Sequence, residues 1–183
     1  MSRIIALSGS LRRHSYNSGL LRAARQLMPD GVALEIGTIA DVPLYNGDIE
    51  EEEGIPAAVT RLKDAIADAD GLLLSTPEYN NSIPGVFKNA IDWISRPPAD
   101  SARVFRGKRV AIIGASPGGF GTVLAQNAWL PVLRTLGVEL WNGRRLMVSE
   151  AGQIFDAEGN LVNESIRNHL KAFLEEFAAV LGE

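Results

Sequence analysis

Two loops hold most of the residues in this sequence that could do chemistry. The first, SGSLRRHSYNS at 8–18, offers Ser8, Ser10, Ser15, Tyr16, Asn17 and Ser18 as hydroxyl or amide groups, with Arg12 and Arg13 as positive charge. It joins an apolar run to a helical pattern. The free N–H groups of that helix's first turn, with a dipole charge of about +0.5, favour a phosphate there. Ser15 or Asn17 could equally be a plain N-cap. The second loop begins STPEYNNSIPG at Ser75 and breaks on Pro77 and Pro84, with Asn80, Asn81 and Gly85 between or beside them. It follows the apolar run 71–74 and leads into a helical pattern at 86–94. A polar, sterically restricted loop at the carboxyl end of a central strand is where open α/β sheets bind ligands.

A third loop, GASPGGFG at 114–121, follows the apolar run RVAIIG. It is either a flexible turn or a place where backbone approaches a flat ring closely, because glycine leaves room for it. Two rival phosphate motifs are missing. There is no G-x-x-x-x-G-K-[ST] of a nucleoside triphosphatase, and the first turn lacks the G-x-G-x-x-G of a dinucleotide site. The loops together point to a flat, phosphorylated cofactor, for which FMN fits best.

Composition narrows the chemistry further. With no cysteine, disulfides, thiolate metal sites and thiol nucleophiles are excluded; with only His14 and His169, so is a His-rich metal site. No catalytic side chain and no metal ligand is therefore expected, and any redox chemistry must use something other than sulfur. The net charge is −4 and Lys and Arg form no long block, which argues against wrapping nucleic acid. No apolar run approaches the ~20 residues needed to span a bilayer. The opening MSRIIALSGS enters a strand at once, without a signal-peptide core. A cytoplasmic protein is expected.

The elements that must position the loops alternate from end to end. Strands are predicted at 3–7, 32–36, 71–75 and 109–114, with 138–141 and 146–148 sharing a fifth strand position. Helices are predicted at 16–28, 55–68, 86–94, 121–136 and 164–181. The first carries Leu20, Leu21, Ala24, Leu27 and Met28 on one face, the second Val59, Leu62, Ala65 and Ile66, and the last Ile166, Leu170, Phe173, Leu174, Phe177 and Val180. Pro97-Pro98 should close the third helix, and Pro131 should kink or split the fourth. The acidic run 48–53 is expected to be a solvated loop. Five βα units without a break make residues 1–183 one α/β domain, a parallel sheet with helices on both faces. In the strand order 2-1-3-4-5 the chain reverses between strands one and three, so loops 8–18 and 76–83 flank the crevice and loop 115–121 lies beside it.

These residues resemble a known family. PEYNNSIPGVFKNAIDW (77–93), GSLRRHSYNSGLL (9–21) and ASPGGFGTVLAQ (115–126) are similar to three motifs of the NADPH-dependent FMN reductases, and the resemblance spans nearly the whole chain. The family includes flavin, quinone, azo-dye and chromate reductases with a flavodoxin-like fold, a three-layer sandwich. The resemblance implies that Ser10, Arg12, Ser15, Tyr16 and Asn17 hold the phosphate and ribityl chain of FMN. Pro77, Glu78, Tyr79, Asn80 and Asn81 would run along the ring edge, largely through backbone groups. Ser116, Gly118, Gly119 and Phe120 would approach the ring's other side. Glu78 could instead bond within its own loop, and Tyr79 could simply pack at the sheet edge. Lys88, Asn89, Asp92 and Trp93 read as architecture, with Lys88 and Asp92 spaced to pair on one helix face.

The implied activity is transfer of hydride from NADPH or NADH through the flavin to a small acceptor such as a quinone, azo dye, metal oxyanion or flavin. A non-enzymatic electron carrier of flavodoxin type is the alternative. Such carriers usually have a strongly acidic surface and enclose the ring between aromatics, whereas this third loop is rich in glycine. Phe87, Trp93, Trp129, Leu130 and Leu133 read as more apolar bulk than one sheet face requires, which predicts a homodimer or homotetramer, although each could instead be ordinary core.

Overall fold

The computed structural model describes residues 1–182. The chain runs β1 (Ser2–Ser8), α1 (Tyr16–Leu27), β2 (Val32–Gly37), α2 (Gly47–Glu53), α3 (Ala57–Ala67), β3 (Gly71–Ser75), α4 (Gly85–Ile94), α5 (Pro98–Phe105), β4 (Arg109–Ala115), α6 (Val123–Leu136), β5 (Glu139–Leu140), β6 (Leu146–Val148) and α7 (Glu164–Val180). All strand pairs are parallel, in the order β2-β1-β3-β4-β5, with β6 also paired to β4. β5 pairs with Arg109 and Val110 at the start of β4, and β6 with Ile113–Ala115 at its end. The two short strands therefore share one position, as the sequence suggests.

Side chains alternate through the sheet with period two. Ile4, Ala6, Leu73, Ala111 and Ile113 pack under α1 and α7, where Leu170, Phe173, Leu174 and Phe177 are buried. Ile5, Leu7, Leu72, Leu74, Val110 and Ile112 pack under α3, α4, α5 and α6. This layering aligns the carboxyl ends of β1, β3 and β4, through Ser8 opposite Ser75 and Ser75 opposite Ile113.

Several expectations are corrected. The acidic run 48–53 forms helix α2, capped by Asn46, whose Oδ1 accepts from Asp48 N at 3.0 Å. Asp48 and Glu50 in its first turn complement the helix dipole. Pro97-Pro98 does not only end α4. Pro98 opens α5 in the first turn, where a missing N–H costs no helical bond. Pro131 does not split α6, which runs continuously from Val123 to Leu136. Pro131 lies on the exposed side of the helix, as does Asn127, whose carbonyl loses its donor there. Phe87, Trp93, Trp129 and Leu133 are core residues of one chain, at most 1% exposed. Four helices crowd that face of the sheet, and large side chains fill the space between them. Only Leu130, at 43% exposure, stays on the surface. Lys88 and Asp92 pair at 2.6 Å as their spacing predicts. Among the described residues no helix is long and apolar enough to cross a membrane.

Candidate functional site

The strand ends open into a cleft of about 230 Å³ lined by Ser10, Arg12, Ser15, Tyr16, Asn17, Pro77, Glu78, Tyr79 and Ser116, together with Ala115 and Pro117. Nine of the residues singled out from the sequence thus converge. Asn80, Asn81, Gly118, Gly119 and Phe120 are not among its lining residues.

The first loop is built to leave backbone donors free. Ser15 is the N-cap of α1, its Oγ accepting from Ser18 N at 3.2 Å. Ser10 Oγ accepts from Arg12 N at 3.3 Å, and Ser8 Oγ from Ser18 Oγ at 3.0 Å. The N–H groups of Arg13, His14, Tyr16 and Asn17 have no acceptor among the described residues. Neither Arg12 nor Arg13 enters an ion pair there. Open amides at a helix N-terminus beside an unneutralised arginine fit a phosphate. Behind the loop, Tyr16 packs at a tilt against Phe155 with ring centroids 5.0 Å apart, and Arg22 donates to Gly159 O at 2.8 Å. The turn that carries Gly159 is closed by Asp156, whose carboxyl accepts from Asn160 N at 2.7 Å and is held below the usual carboxylate range chiefly by that bond.

Asn17 has a different task from the one its position suggests. It is 2% exposed. Its Nδ2 donates to Ala115 O at 2.9 Å, and its Oδ1 accepts from Ala115 N at 3.0 Å and from Ser75 Oγ at 3.0 Å. The side chain bolts α1 to the ends of β3 and β4, while its backbone N–H has no acceptor among the described residues. The signal available in the sequence was Ser75, a hydroxyl ending an otherwise apolar strand.

The second loop is a two-residue hairpin. Tyr79 and Ser82 exchange backbone bonds at 3.1 and 3.0 Å, and Asn80 and Asn81 between them have φ of 49° and 60°. Two left-handed residues in sequence make a type I′ turn, a conformation that asparagine tolerates. Tyr79 remains 44% exposed. Among the described residues Glu78 bonds neither its own loop nor a cation. Its Oε2 accepts from Leu124 N and Ala125 N, both at 2.9 Å, at the start of α6.

The third loop is pinned by its backbone. Ser116 N donates to Val148 O at 3.0 Å, and Glu150 N to Gly118 O at 3.2 Å. Gly121 is left-handed at φ 62°, and a Cβ there would come within 2.9 Å of Met147 O. Gly119 has open space beside it, and Phe120 is 77% exposed. Gly118 and Gly119 thus leave the backbone of this loop uncrowded on the side where no side chain stands.

Comparison with known proteins agrees with this geometry. The model of the NADPH-dependent FMN reductases matches residues 2–153. The chain belongs to the NADPH-dependent FMN reductase family. Among relatives of this FMN reductase, an NAD(P)H-dependent FMN reductase of Pseudomonas aeruginosa is 44% identical over 173 residues, 94% of this chain and 91% of the relative. A 2-hydroxy-1,4-benzoquinone reductase of a Burkholderia species is 41% identical over 177 residues, 97% of this chain and 94% of the relative. The solved structure of FerB, a flavoenzyme NAD(P)H:(acceptor) oxidoreductase from Paracoccus denitrificans, superposes with a TM-score of 0.86 at 32% identity, covering 100% of this chain and 98% of that one. The protein is thus an oxidoreductase with a flavodoxin-like fold that uses FMN and NAD(P)H.

Proposed function

We propose that this FMN reductase passes electrons to a small quinone-type acceptor. The observation that carries the reading is the cleft itself: unbonded amides at the start of α1 beside Arg12, facing a stiff hairpin across an open strand edge. Arg12 and the amides of Arg13, His14, Tyr16 and Asn17 hold the phosphate end. The backbone of Pro77–Asn81 orients the ring edge, and Ser116–Phe120 approaches its other side. Bound FMN would supply the two-electron hydride chemistry that links NADPH or NADH to the acceptor. The protein's part is to bind, orient and leave one face accessible. A cleft of about 230 Å³ lies below the ~300–1,000 Å³ of a typical enclosing ligand pocket, which supports a ring that lies over the edge and stays open to nicotinamide and acceptor in turn. The quinone reductase names of relatives at 41% and 39% identity support the acceptor class.

The same proposal covers residues 1–183 acting as one unit in the cytoplasm, where NAD(P)H is supplied, and assembly as a homodimer or homotetramer. Exposed Leu124 and Leu130 on α6, beside an open groove between α4 and α6, support the assembly.

The test is anaerobic mixing of FMN-loaded protein with NADPH, followed at the visible flavin band. Rapid bleaching, with the colour restored by added 1,4-benzoquinone, is the expected result. Colour that persists with FMN still bound would remove nicotinamide as donor and bring the electron-carrier alternative forward.

A further inference from the structure

We propose that Glu78 is a positioning residue that ties the ring-side hairpin to helix α6 and, through its charge, holds the reduction potential of bound flavin down. The second half of this inference rests on the reading of the cleft as the FMN site; the first does not.

α6 begins without a local cap. Its N-cap residue, Thr122, makes no capping bond with its side chain, and Thr122 Oγ1 instead accepts from Gln126 Nε2 at 3.0 Å. The first amides of a helix need acceptors from elsewhere. Glu78, 46 residues earlier, supplies them through one carboxylate oxygen at 2.9 Å from both Leu124 N and Ala125 N. The residue also lines the cleft. Since α6 follows directly on loop 115–121, the tether fixes the spacing between the two loops that would flank the ring. A second tie runs in parallel: Trp129 Nε1 of α6 donates to Thr76 Oγ1, which donates to Pro77 O at 2.8 Å. The chain therefore keeps a link between α6 and this loop when Glu78 is replaced.

The charge matters separately from the tether. The N-terminus of α6 carries about half a positive charge, and the ring lying beside it would accept electrons more readily for that. A full negative charge from Glu78 reverses the sign of the local field. Fixed negative charge beside the ring opposes its gain of electrons, so Glu78 keeps the bound flavin a stronger donor to the acceptor.

Two variants separate the parts. Glu78→Ala removes tether and charge; Glu78→Gln keeps an acceptor oxygen for the amides and removes only charge. In the protein without FMN, amide hydrogen exchange at Leu124 and Ala125 should speed up by about tenfold or more in Glu78→Ala and much less in Glu78→Gln, as expected for the loss of a charge-assisted hydrogen bond. With FMN, Glu78→Gln should bind with a Kd within about threefold of wild type while its midpoint potential, read by spectroelectrochemical titration, moves positive. Glu78→Ala should weaken FMN by about tenfold. Unchanged exchange at both amides in Glu78→Ala overturns the tether, and an unmoved potential in Glu78→Gln overturns the electrostatic role. Failure of the wild-type chain to bind FMN would sink the cofactor reading and the potential-setting role with it, while amide exchange would still decide the tether.

Discussion

At the scale of single residues, the site depends on side chains that serve the backbone. Asn17 is the clearest case, with three hydrogen bonds to Ala115 and Ser75, groups at most 1% exposed. Replacing it with alanine leaves the buried N–H and C=O of Ala115 without these partners, while Ser75 Oγ keeps the backbone O of residue 17 at 3.2 Å, at a cost of about 1–3 kcal/mol for each group that water cannot reach. Asn17→Ala should lose roughly 2–4 kcal/mol in urea unfolding of the FMN-free protein. A loss under about 1 kcal/mol would mean that water replaces the amide. The sequence makes Asn17 visible as a site residue because it opens α1 in a polar loop. It does not tell which way an amide with donor and acceptor faces turns, because that is decided by strand ends 58 and 98 residues away. The same limit applies to Asn80 and Asn81. Their polarity is legible, but the left-handed turn they adopt depends on Tyr79 and Ser82 closing the hairpin.

At the scale of elements, α2 shows why an acidic run can be misread. Its sequence, GDIEEEE, lacks the apolar periodicity that marks a packed helix, and no residue of it is classed as buried. What holds it is a cap and one ion-pair cluster. Glu50 accepts from Arg96 Nε at 2.8 Å and from Tyr45 OH at 2.9 Å, while Tyr45 packs edge-on against Trp93 at 4.9 Å. Asn89 and Trp93 of α4 hold the preceding turn through Pro43 O, at 2.8 and 3.0 Å. Apart from Tyr45, these partners come from α4 and the α4–α5 turn, so local sequence cannot reveal them. The hydrogen bond from Arg96 holds the Glu50 carboxyl below its ordinary value of 4.5. A carboxyl whose folded pKa is depressed stabilises the fold above its unfolded pKa and loses that contribution as pH falls through the folded one. Glu50→Gln should therefore melt below wild type at pH 7, and the gap should close as pH falls below the ordinary value of 4.5 and through the depressed folded one. Asp100, held low by Arg103 and Lys63, weakens both proteins alike in acid, so the difference between them isolates Glu50. A gap that stays constant between pH 7 and about pH 3 would show that Glu50 acts without its charge.

At the scale of the whole molecule, the fold was legible because a parallel sheet buried on both faces forces near-continuous apolar runs into its strands. That constraint marks β1, β3 and β4 and, with right-handed crossovers, their order. It does not distinguish a large side chain that fills the core from one that meets a partner, which is why Phe87, Trp93 and Trp129 could be read as either and are core. The two faces are also unequally covered. Four helices shield one, whereas the other depends on α1 and α7, with Trp141 packed edge-on at 4.9 Å against Phe173 of α7. The segment matched by the family model ends at residue 153, before α7 begins. The matched segment therefore holds every lining residue of the cleft, and α1, but not α7, the other helix that closes the sheet behind it. Leu170, Phe173, Leu174 and Phe177 are at most 1% exposed, and at about 1.5–3 kcal/mol for each buried side chain their loss is comparable to the entire margin of about 5–15 kcal/mol that keeps a domain folded. A chain stopped after residue 153 should show no cooperative thermal transition by circular dichroism and no FMN binding, although every cleft residue is present. Cooperative melting with FMN bound would mean that α1 alone closes the face and that α7 is accessory.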